Sequence, residues 1–155
     1  MEDLEQVTKW YKKARLQYII RFGILLQGIP YGLLMFVFYW FFISDSELYK
    51  AIVTGLFNVL FFGILMGLST FTGIYKLPNV KFNFEQLNFE FPKLSDETKF
   101  LLSFYILKHG KAQRFRNEEF FLKDLKKLSR MLAIRYTVPR KDELPEMMKF
   151  AYTLS

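Results

Sequence analysis

The chain has 155 residues, 52% of them hydrophobic and 19% aromatic, and a formal net charge of +7. Apolar and basic residues occupy different stretches, so these averages hide two regions, and the length leaves room for one modest soluble unit beside two long apolar segments. With no cysteine, disulfides, thiolate metal sites and cysteine nucleophiles are excluded.

At the N-terminus, Leu4, Val7, Tyr11, Ala14 and Tyr18 recur at spacings of three and four, with Lys9, Lys12, Lys13 and Arg15 mostly off that stripe. This pattern predicts an amphipathic helix over residues 1–16. Its acids, Glu2, Asp3 and Glu5, complement the helix dipole without needing a ligand. The apolar face would lie either on anionic lipid or against the C-terminal region.

From Phe22 to Ile43 no residue carries a formal charge, and the same holds from Ala51 to Tyr75. Each run meets the roughly 20 residues that a helix needs to span about 30 Å of hydrocarbon. Two transmembrane helices are therefore expected, over residues 17–43 and 50–75, joined by a short external loop, 44–49. The flanks carry Lys9, Lys12, Lys13, Arg15 and Arg21 before the first span and Lys76, Lys81 and Lys93 after the second, whereas the loop sets Lys50 against Asp45 and Glu47. The positive-inside rule puts both termini in the cytoplasm, with a bacterial inner membrane the expected location.

Both spans carry small residues four apart, Gly28 and Gly32 in the first and Gly63 and Gly67 in the second. Such patches let backbones approach, and antiparallel positions at equal depth sum to roughly 93, so the two patches overlap. Pro30 removes one helical N–H and predicts a kink. Gln27 and Asn58 are the strongly polar side chains at depth. They lie too far apart along one hairpin to pair, so each either bonds its own helix backbone or faces another helix.

Beyond Pro78 the period changes. Val80, Phe82 and Phe84 alternate with polar residues, as do Leu87, Phe89 and Phe91, which predicts a β-hairpin turning at Glu85-Gln86, with an extended arm as the rival. Ser95 before Asp96-Glu97 starts a helix through Phe100 to Leu107, ending near Gly110. Asn117 caps a second helix with Phe121, Leu125, Leu128 and Leu132 on one face. A last helix is expected from Pro145 to about Thr153. Residues 76–155 thus form a basic cytoplasmic domain, α or α+β, and the fold class is a mainly α membrane protein built on a two-helix hairpin.

No constellation carries chemistry. The one histidine, His109, falls at a helix end, where it interacts with the last carbonyls. Glu118 and Glu119 occupy a helix first turn, and neither a phosphate-binding glycine loop nor a nucleophile-elbow serine is present. No enzyme activity, cofactor or metal is expected. Between Lys108 and Lys141 eleven Lys and Arg face three acids, a local charge of +8. Lys111, Arg114, Arg116, Lys123, Lys126, Lys127 and Arg130 are the candidates for contact with anionic headgroups or an acidic partner. Nucleic acid is not the expected partner, for want of any recognisable module. The layout is similar to that of accessory subunits of secretion or conjugation machines and of small two-span effectors of prokaryotic defence systems, a likeness of architecture without a shared motif. Two functions stand in front: a non-catalytic membrane subunit or scaffold that assembles with itself or other membrane proteins, and an oligomeric effector or channel that permeabilises the membrane.

Overall fold

The computed structural model describes residues 2–43, 47–109, 117–135, 137 and 144–153. Its elements are α1 (Glu2–Tyr18), a π-helical segment (Ile19–Gly28), α2 (Ile29–Phe42), α3 (Leu48–Ile74), α4 (Leu77–Glu90), α5 (Asp96–His109), α6 (Glu118–Leu132) and α7 (Leu144–Thr153). No strand occurs among the described residues. The chain divides into two compact units, Arg15–Gly73 and Met1–Ala14 with Ile74–Ser155.

The first unit contains the most apolar parts of two long helical runs. Helical structure runs without interruption from Leu4 to Phe42 and again from Leu48 to Ile74, and both stretches are long and apolar enough to cross a membrane. Pro30 lies inside the first continuous helical run, directly after the π-helical segment, and Ile29 donates its N–H to the Ile24 carbonyl five residues back. The proline therefore stands at the boundary between π-helical and α-helical winding.

The second unit is built around α5, in which every residue from Thr98 to Ile106 is buried. Helix α5 starts where Ser95 Oγ accepts the Thr98 N–H, and Asp96 and Glu97 occupy its positive end. The N-terminal stripe closes this core. Val7, Tyr11 and Ala14 are buried, Trp10 packs its ring on Phe84 and Phe100, and Tyr11 donates its hydroxyl to the Tyr75 carbonyl at 2.7 Å. The apolar face of α1 over these residues is thus occupied by protein, which decides between the two environments the sequence allowed.

The expected β-hairpin over residues 80–91 is not formed: the segment is helix α4. Val80, Phe84 and Leu87, at i, i+4 and i+7, make one buried face with Asn83, while Phe82 and Phe89 are exposed. Pro78 opens the helix in its first turn. Alternation at residues 80, 82 and 84 imitated a strand because an aromatic residue, Phe82, happens to occupy the outer face of the helix. The end of α4 is pinned by Lys99, only 2% exposed, whose Nζ donates to Asn88 Oδ1 at 2.7 Å and reaches Pro92 O at 3.4 Å and Asp96 Oδ1 at 3.5 Å. A buried ammonium with three oxygen partners avoids the desolvation cost of an unpaired charge.

Candidate functional site

Within the first unit the helices meet along glycines. On α3 the buried positions Ala51, Gly55, Gly63, Gly67 and Phe71 fall at multiples of four residues. Facing them, Gly28 abuts the Val59 carbonyl and Gly63 Cα (3.2 Å), Gly32 abuts Val59 and the Gly55 carbonyl (2.7 Å), and Gly67 abuts Ile19 Cα (2.9 Å), distances measured from where a Cβ would stand. The structure therefore brings Gly28, Gly32, Gly63 and Gly67 into one seam. It adds two glycines beyond those four, Gly23 against the Gly63 carbonyl and Gly55, on the same four-residue repeat of α3, against Phe36 Cβ (3.0 Å). Gly23 and Gly28 are five apart. On an α-helix, at 3.6 residues per turn, that interval overshoots one turn by about 140°. The π-helical winding between them, with its five-residue hydrogen bond, returns both to the same side.

The two polar side chains differ. Asn58 Nδ2 donates to the Thr54 carbonyl of its own helix at 2.8 Å. Gln27 Oε1 is buried and accepts no hydrogen bond among the described residues. Beside the seam, where Gly32 and Gly55 leave space, an apolar groove of about 500 Å³ runs past Phe36, Leu56 and Val59.

In the second unit α6 carries the basic surface. Asn117 Oδ1 accepts the Glu119 N–H at 2.6 Å and starts the helix, Phe121, Leu125, Leu128 and Leu132 are fully buried, and Lys123, Lys126, Lys127 and Arg130 are exposed. Lys111, Arg114 and Arg116 lie outside the described residues. The Lys108 ammonium, on an exposed residue, is lowered from the usual lysine value by partial desolvation and then by the nearby Lys127 charge, with Asp124 opposing.

Two further features escaped sequence reasoning. The ring of His109 lies 4.5 Å from that of Tyr105, one turn earlier on α5. A cavity of about 260 Å³ opens among Trp10, Lys13, Glu97, Leu132, Ile134 and Arg135. Its residues come from three separate stretches of sequence, and no spacing rule joins them. Among the described residues no group of three or more His, Cys, Asp or Glu side chains could hold a metal. Comparison with family models, curated proteins and solved structures finds no match.

Proposed function

We propose that the chain is a non-catalytic integral membrane subunit or scaffold. Its glycine-packed hairpin crosses the bilayer twice, both termini lie in the cytoplasm of a bacterial cell, and the basic domain is presented at the inner leaflet. The observation that carries this reading is the surface of the first unit. Leu25, Leu26, Leu33, Leu34, Phe41, Phe57 and Phe61 are each more than half exposed. Only 17% and 22% of the most apolar windows of the two long helices are buried, whereas the core helix of a soluble protein would be mostly buried. Water does not tolerate so large a contiguous apolar surface, and hydrocarbon does. The exposed cations of α6 support contact with anionic headgroups, and a half-buried carboxamide, Gln27, within an apolar helix supports assembly with itself or another membrane protein. A conducting pore stands second. Asn58, one of the two polar side chains that would line it, has its amide bonded within its own helix.

Membrane insertion and orientation are tested together. The protein should remain in the membrane pellet after alkaline carbonate. In this cysteine-free chain, Glu47→Cys should react with an impermeant thiol reagent on intact cells, and Lys123→Cys only after lysis. Both positions are exposed, unlike Ser103, which is fully buried and would be silent on either side. Release by carbonate removes the membrane reading, and labelling at position 123 in sealed cells reverses the orientation.

A further inference from the structure

The cavity beside Lys13 and Arg135 is built from fixed parts. Helix α6 ends at Ala133, held in the left-handed region at φ 53°, with the Ala133 and Ile134 N–H groups both directed to the Ser129 carbonyl. The chain is tied down again at Thr137, whose N–H donates to Thr98 Oγ1 at 3.3 Å. Arg135 therefore directly follows an anchored residue, Ile134, beside the first turn of α5. Trp10 forms another wall, its ring packed against Phe84 and Phe100. Lys13 lines the same space from α1. Two cations thus share the cavity with one carboxylate, Glu97, and among the described residues no ion pair engages Lys13 or Arg135.

We propose that this cavity binds the phosphate-bearing headgroup of one anionic phospholipid, a proposal that rests on the membrane reading above. Three observations select a lipid. The excess of positive charge calls for an anion. The volume is below the roughly 300–1,000 Å³ of sites for drug-sized ligands and suits a headgroup. Lys13 belongs to the basic flank that precedes the first apolar run, nine residues before Phe22 in the sequence. Tryptophan together with Lys and Arg is the side-chain set found at membrane–water interfaces. The acyl chains would remain in the leaflet, and the site would hold only the polar end.

The test uses the full chain in a neutral detergent with equimolar phosphatidylglycerol and phosphatidylcholine, read by native mass spectrometry of retained lipid. The wild type should keep one phosphatidylglycerol in preference to phosphatidylcholine. Lys13→Gln with Arg135→Gln should lower that preference roughly thirtyfold, since each of the two basic groups near a leaflet contributes about 1 kcal/mol and about 1.4 kcal/mol is tenfold. Lys50→Gln with Lys93→Gln, both exposed and outside the cavity, should leave the tightly retained lipid in place, and Lys13→Arg should keep it, which separates loss of charge from loss of fold. The proposal is overturned by a wild type without preference, by equal loss in both double variants, or by displacement of the lipid by millimolar inorganic phosphate, which would identify a free-anion site. A protein that resists carbonate yet shows no lipid preference defeats this inference alone, whereas release by carbonate defeats the membrane reading beneath it.

Discussion

Single glycines set how closely the two apolar helices approach. A methyl group at Gly63 would stand 2.7 Å from Ile24 Cα and 3.1 Å from the Gly23 carbonyl, both backbone atoms that no rotamer change can move. Gly63→Ala must therefore push the helices apart, and a destabilisation of about 1–3 kcal/mol is expected, the usual range for overpacking. Gly73, on the same helix, has nothing within 4 Å of where its Cβ would be. Gly73→Ala should be neutral or slightly stabilising, since glycine costs roughly 0.5–1 kcal/mol relative to alanine in a helix. Denaturant titration in mixed micelles, followed by circular dichroism, compares the two. Equal effects would mean that the seam does not depend on close backbone contact.

At the scale of elements, α4 provides a sharp distinction between helix and hairpin. In a hairpin Phe82 and Phe84 would share one face and matter alike, but in the helix Phe84 is 3% exposed and Phe82 56%. Phe84→Ala should cost about 3–5 kcal/mol, as for a buried phenylalanine. Phe82→Ala should stay within about 0.5 kcal/mol, as for a surface position. Thermal unfolding of the full-length variants measures both, and matching losses would restore the strand pairing. The same element scale explains the π-helical segment. A five-residue glycine interval cannot stay on one face of an α-helix facing partners spaced by four, so the winding changes and Pro30 marks its end.

At the scale of the whole molecule the proposal to test is assembly, and the two carboxamides of the apolar helices, Gln27 and Asn58, divide on it. Gln27 is half-buried with its oxygen enclosed by its own chain, so a bond to a neighbouring subunit's helix falls to its amide nitrogen and would contribute roughly 0.6–2 kcal/mol inside a membrane. Asn58 already donates to Thr54. The native mass of the particle in a nanodisc should therefore exceed one chain for the wild type, fall for Gln27→Leu and hold for Asn58→Leu. A strictly single-chain wild type would remove the assembly proposal, and a multimer indifferent to Gln27→Leu would place its contacts elsewhere. The amino-acid sequence by itself determined the two long apolar helices, the small residues available for packing them, the N-terminal stripe of Val7, Tyr11 and Ala14, and the buried face of α6. Each of these is a local periodicity, and hydrophobic burial follows local periodicity when a helix has one clear face. Only the tertiary structure decided the rest. Residues 77–90 became a helix because α5 and α1 offered Val80, Phe84 and Leu87 a common surface, where a two-residue Glu-Gln turn offered a strand pair little. Gly23 joined the seam through a change of helical winding, and Trp10, Lys13, Glu97 and Arg135 came to line one cavity from positions up to 125 residues apart. Contacts of that kind depend on which faces meet in space, and no repeat along the chain encodes them.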